Sequence, residues 1–107
     1  GSDARHIENA CRKDPRERHR IHPELAVLRA QVRFAARHEM ARTVEDVLSR
    51  RTRALLHDAR AAAAAAPAVA EILAEELDRS PAWVREQTEG FGRLARHHLP
   101  TPVAAAA

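Results

Sequence analysis

The sequence predicts an all-α fold, a small bundle of about five helices with irregular packing, and three observations carry that expectation. Of 48 apolar residues in 107, 24 are Ala, so only 24 larger apolar side chains remain to build a core. Ala and Arg, both strong helix formers, supply 24 and 17 residues. Two Phe, one Trp, no Tyr and three Gly are too few for a sandwich, a barrel or a glycine-loop nucleotide fold. The length suits one domain, with marginal burial unless neighbours help.

Each element follows from local pattern. Gly1-Ser2 resembles the remnant of a cleaved tag. Residues 3–13 form a short amphipathic helix, with Ile7, Ala10 and Cys11 on one side and Pro15 as its boundary. Residues 14–24, DPRERHRIHPE, carry two prolines and no apolar period, which predicts a polar connector. The helical domain proper is expected over 25–99. Leu25, Leu28, Val32, Ala35 and Ala36 fall at helical spacing with Arg29, Arg33 and Arg37 opposite, predicting a helix from 25 to about 39. Thr43 precedes Asp46 by three residues at the head of Val44, Val47 and Leu48, a relative of the capping box, so a helix starts near Thr43. It either continues through Leu56 or breaks within Arg50-Arg51-Thr52-Arg53.

Asp58 opens an alanine-rich helix, and Pro67 is expected to stop or kink it, since proline lacks the backbone donor and crowds the preceding turn. Val69, Ile72, Leu73 and Leu77 give the next stretch an apolar stripe, with Glu71, Glu75, Glu76 and Asp78 facing water. Ser80-Pro81 is an N-cap followed by proline at the first helical position. Val84, Gln87, Phe91 and Leu94 share the last helix's face, Trp83 lies beside them, and Pro100 ends it. The tail 100–107 has no partner pattern and is expected to be disordered.

Charge narrows the function classes. The net charge is +3, with 17 Arg and one Lys. Residues 1–60 carry 14 basic and nine acidic residues, while 61–107 carry four and six, giving +5 and −2. This permits an acidic or phosphate-rich partner without requiring one. Cys11 is the single cysteine, so no internal disulfide forms, and the usage fits a reducing compartment, the cytoplasm. No run approaches the roughly 18 apolar residues of a membrane span, and the amino end shows no signal-peptide apolar region.

Most chemical motifs fail. His38-Glu39-Met40-Ala41-Arg42 begins like a helical zinc-protease motif, but Arg42 stands where the second His ligand is needed. Cys11, His19 and His22 match no common metal spacing, and His97-His98 points two imidazoles to different helix faces. No metal site and no catalytic residue is expected. Three glycines cannot supply either common phosphate-binding loop, so no cofactor is expected on this chain.

The densest polar constellation is Glu39, Arg42, Glu45, Asp46, Arg50, Arg51 and Arg53. On a continuous helix Asp46 is four residues from both Arg42 and Arg50 and could bridge the two guanidinium groups, each exposed pair contributing about 0.3–0.5 kcal/mol. One reading is an ion-pair network that fixes two helices. The other is a docking surface, since Arg presents a planar fork suited to carboxylate or phosphate. Nucleic acid is disfavoured as the partner because no aromatic residues interleave with the arginines.

Residues 33–77, RFAARHEMARTVEDVLSRRTRALLHDARAAAAAAPAVAEILAEEL, resemble the carboxy-terminal helical domain of the FAD-dependent glycerol-3-phosphate dehydrogenases. The resemblance rests on Arg37-His38-Glu39, Thr43, Asp46-Val47-Leu48, Arg50-Arg51-Thr52-Arg53, Asp58-Ala59-Arg60 and Pro67. It extends more weakly from Trp83 to Leu99, and residues 1–24 match poorly. It implies a parent enzyme that oxidises sn-glycerol 3-phosphate to dihydroxyacetone phosphate, passes electrons through FAD to quinone and sits peripherally at the inner face of the cytoplasmic membrane. This chain is then a non-catalytic cap on the catalytic FAD domain of the same polypeptide, with homo-oligomer contacts as a further role. The competing reading is a free-standing Arg-rich helical module that binds an acidic protein or nucleic acid.

Overall fold

A computed structural model describes residues 2–98; the side chains of Ser2 and Arg51 lie outside that description, as do the expected end of the last helix at Pro100 and the tail 100–107. Among the described residues there are five α-helices: α1 (Ser2–Lys13), α2 (Arg29–His38), α3 (Ala54–His57), α4 (Ala59–Leu77) and α5 (Pro81–Arg96). A 3₁₀ turn (Pro15–Arg18) and a π-helical segment (Asp46–Arg51) accompany them. A small antiparallel hairpin pairs β1 (Arg20–His22) with β2 (Leu25–Leu28), with Arg20 opposite Leu28, His22 opposite Leu25 and an irregularity between. The fold is helical, as the composition predicts.

α4 is the central element, and α2, α3, α5 and β1 all pack on it. Asp58 caps it by accepting a hydrogen bond from the Ala61 N–H at 3.0 Å, and Asp78, at φ 57°, ends it in the left-handed conformation. Ala61, Ala62, Ala65, Ala66, Val69, Ala70, Ile72 and Leu73 are all buried along its length. After turn 78–80, Ser80 Oγ accepts from the Trp83 N–H at 3.1 Å, Pro81 opens α5, and α5 folds back on α4. Val32 from α2 and Val44, Val47 and Leu48 from the following segment complete the core with Phe91.

Three expectations change. α4 runs unbroken through Pro67, with alanines before it and Val69, Ala70 and Ile72 after it all buried in the one core, so both halves are anchored. The exposed proline removes one backbone donor without unseating that face. Residues 25–28 are a strand, not the first turn of a helix; α2 begins at Arg29, and the Leu28 N–H is met by Gln31 Oε1 at 2.7 Å. Residues 14–24 are not a bare connector, since the 3₁₀ turn and β1 bury Glu17 and place Ile21 in the core.

The helix expected from Thr43 starts there but changes form. The Asp46 N–H donates to Thr43 Oγ1 and the Thr43 N–H donates to Asp46 Oδ2, both at 3.1 Å, a reciprocal box. The Val44 N–H finds Gln87 Oε1 on α5 at 3.0 Å. The segment widens to π geometry, with the Thr52 N–H reaching back to the Val47 carbonyl at 3.0 Å, and breaks at Arg53, where φ is 57°. Of the two alternatives the sequence left open, the break is the one observed.

Candidate functional site

Two polar sites emerge from these elements. The first surrounds the loop between α2 and the π-helical segment. Arg42 lies at its centre, its Nη1 donating to the carbonyls of Ala36 at 3.1 Å and Ala41 at 2.9 Å, where a cation complements the carboxy-terminal end of α2. Its backbone N–H donates to Asp46 Oδ2 at 2.9 Å. Asp46 therefore does not bridge two guanidinium groups as a continuous helix would allow; it takes the backbone of Arg42 and the guanidinium of Arg50, whose Nη1 is 3.5 Å from Oδ1. Burial works to raise the Asp46 pKa, but hydrogen bonds from the Arg42 and Thr43 backbone, from Thr43's side chain and the charge of Arg50 hold it below the usual aspartate value.

Met40 sits in the same loop at φ 63° and is 71% exposed, with its Sδ 3.4 Å from Arg42 Nη2. Glu39, Met40, Asp46 and Arg50 line an open groove of about 670 Å³. Glu45 also approaches Arg50, at 3.9 Å. Arg53 is exposed and lies outside this contact set, and the side chain of Arg51 lies outside the described residues. Of the predicted cluster, then, Arg42, Asp46 and Arg50 join directly and Glu39 lines the same groove.

The second site was not anticipated. Arg33 Nε donates to Glu17 Oε1 at 2.5 Å, Nη1 to Glu76 Oε2 at 3.2 Å and Nη2 to Glu75 Oε2 at 3.3 Å. Arg37 grips Glu76 through both Nε and Nη2. Arg29 Nε lies 4.0 Å from Glu17 Oε2, an oxygen with no hydrogen-bond partner among the described residues. The hydrogen bond from Arg37 is the main reason that Glu76 titrates below the ordinary glutamate value; burial opposes it, and the charges of Arg37 and Arg33 add to the lowering. Arg33 and Arg37 of α2, expected to face away from the core, instead reach Glu76 of α4, with Arg33 also touching Glu75, while Glu71, Glu75 and Asp78 remain exposed as expected. The signal was present in Arg29, Arg33 and Arg37 at four-residue spacing, which makes one cationic ridge that needs an acidic neighbour.

His38, the first residue of the failed zinc motif, stacks on His6 at 5.4 Å and packs on Phe34 at 4.7 Å, tying α1 to α2. No group of three His, Cys, Asp or Glu among the described residues is arranged to hold a metal. No described helix is long and apolar enough to cross a membrane.

Residues 1–84 match the family described as the C-terminal domain of alpha-glycerophosphate oxidase. The chain belongs to that family. The match takes in residues 1–24, where the sequence resemblance was poor, in keeping with the place of Ile21 in the core, and it ends at residue 84, just inside the weaker stretch from Trp83 to Leu99. Neither the curated proteins nor the solved structures yielded a match to the chain. The parent family is FAD-dependent. Among the described residues Gly90 and Gly92 lie inside α5, the sheet is one antiparallel hairpin, and the caps of α4 and α5 are closed by Asp58 and Ser80, so they form no glycine-rich loop of the dinucleotide-binding kind.

Proposed function

We propose that this chain is the non-catalytic C-terminal helical cap of a flavin-dependent glycerol-3-phosphate dehydrogenase. The observation that carries the reading is the family match over residues 1–84. The parent oxidises the secondary alcohol of sn-glycerol 3-phosphate to the ketone of dihydroxyacetone phosphate, and the two electrons pass through FAD to quinone. It sits peripherally at the inner face of the cytoplasmic membrane. The partner of the cap is the catalytic FAD domain of the same polypeptide; self-association is a secondary role, and nucleic acid is not a ligand.

The test compares the 107-residue chain with the full-length parent. The chain alone is expected to purify colourless and to leave a redox dye unreduced with glycerol 3-phosphate, while the parent carries flavin and reduces the dye only when that substrate is added. Stoichiometric FAD on the 107-residue chain would overturn the reading. So would a flavin-bearing parent indifferent to glycerol 3-phosphate.

A further inference from the structure

We propose that the stacked rings of His6 and His38 form an acid-sensitive clasp, which holds α1 on α2 while both imidazoles are neutral and releases it when both are protonated.

α1 is held on the body by a short seam. It packs on α2 and on the 3₁₀ turn, and a helix of 12 residues is marginal in water without such support. Cys11 on α1 and Ala30 on α2 are buried, yet neither belongs to the main apolar cluster, so the seam is a satellite of the core. An element attached in this way opens locally at little cost, and a small change at the seam shifts its docking equilibrium.

The rings supply that change. His6 stacks on His38 with centroids 5.4 Å apart and planes at 29°, and Phe34 lies 6.0 Å from the first ring and 4.7 Å from the second. Both histidines are exposed, so protons reach them from solvent in the folded chain. Histidine ordinarily changes charge near pH 6.5, as an order of magnitude about one unit below neutrality. Protonating both rings sets two like charges against each other across the seam, and separating the helices relieves the repulsion.

The surrounding charges do not absorb it. Lys13 of α1 and Arg33 and Arg37 of α2 face the same cavity, of about 390 Å³. Its two carboxylates are already engaged, Asp14 with Arg16 at 3.0 Å and Glu17 with Arg33 at 2.5 Å. Asp3 and Glu39 line a neighbouring groove with Ile7 and Phe34. Asp3 moves with His6 and Glu39 stays beside His38, so each offsets its own ring in both states. The Arg18–Glu8 pair, which also ties α1 to the 3₁₀ turn, is indifferent to this pH range because carboxylates titrate well below it.

Cys11 is the single cysteine and is 2% exposed beneath α1, so its thiol reports release. Its rate of reaction with dithiodipyridine is taken relative to the urea-unfolded chain at the same pH, which removes the thiol's own titration. Between about pH 7.5 and about pH 5.5 the relative rate should rise about fourfold, the factor set by two unit charges 5.4 Å apart in water. His6→Phe and His38→Phe, which keep a ring and remove a charge, should each hold the relative rate flat. Salt at about 1 M, where screening acts over about 3 Å, should suppress the rise in the unaltered chain. A flat rate in the unaltered chain would overturn the clasp. So would a rise that survives either substitution or high salt, and so would a general loss of far-UV circular dichroism at the lower pH, since the whole fold and not α1 would then have opened.

Discussion

Arg33 touches carboxylates 16, 42 and 43 residues away in sequence, and only 18% of its side chain is exposed. Burial disfavours its charge, yet the hydrogen bond and charge of Glu17, with Glu75, keep its pKa above the ordinary value. Losing the cation leaves buried Glu17 with only Arg29, 4.0 Å from an Oε2 that has no hydrogen-bond partner among the described residues. Removing one member of a buried pair is far more damaging than replacing both by apolar groups. Arg33→Met should therefore destabilise the chain by about 3 kcal/mol, and the double variant Glu17→Leu/Arg33→Met by clearly less, measured by urea unfolding. A double variant as unstable as the sum of its singles would show that the two side chains do not act as a pair. The Thr43–Asp46 box was legible in the sequence because its partners are three residues apart, a distance that backbone geometry fixes. Arg33's partners were not, because which side of α4 turns toward α2 is decided by packing. Asp46 shows the same limit from the other direction: its spacing to Arg42 was right, but a π-helical segment and a capping role for Arg42 gave it that residue's backbone in place of its guanidinium.

At the scale of elements, the instructive cases are β2 and α4. Leu25, Leu28 and Val32 satisfy a helical period, but Leu25 and Val27 also satisfy a period of two, and a buried Leu25 and half-buried Val27 on either side of an exposed Ala26 follow the second, with Leu28 half-buried at the strand's end. Pro23 resolves the ambiguity, for it places a turn between Ile21 and Leu25, and the Glu24 N–H closes on His22 Nδ1 at 3.0 Å. In α4 the local rule against interior proline gives way to tertiary packing. That rule still predicts an energetic deficit: Pro67 has no donor for the Ala63 carbonyl, and interior proline disfavours a helix by about 3 kcal/mol relative to alanine. Since Pro67 is exposed and the residues around it are already alanine, Pro67→Ala should raise stability by about 1–3 kcal/mol, seen as a higher Tm in calorimetry. A lower Tm would mean that the fixed backbone of Pro67 helps α4 more than its missing donor costs.

For the whole molecule, the shortage of large apolar residues acquires a structural explanation. Ala62, Ala65, Ala66 and Ala70 are fully buried along α4, so close approach of backbones replaces bulky side chains in filling the core. A core of that kind yields less apolar area per residue, and the ion pairs that clamp the 3₁₀ turn and α2 onto α4 become a larger share of stability. The consequence is a defined response to acid. Glu76 titrates below the ordinary glutamate value of 4.5 in the folded chain, first through its hydrogen bond from Arg37, and Asp46 below the ordinary aspartate value of 3.8, against burial and through its backbone hydrogen bonds. A carboxyl with a lowered folded-state pKa binds protons more tightly when unfolded, so its contribution is complete above the unfolded value and is lost as pH falls through the folded one. Stability should therefore begin to fall below about pH 4.5, where protons start to bind the unfolded chain preferentially, and continue falling as Glu76 and Asp46 titrate. Glu76→Gln should be less stable than the parent chain at neutral pH and should lose less on acidification, so the two stability curves converge at low pH. Parallel curves in urea titrations across that range would show that Glu76's proton is not linked to folding.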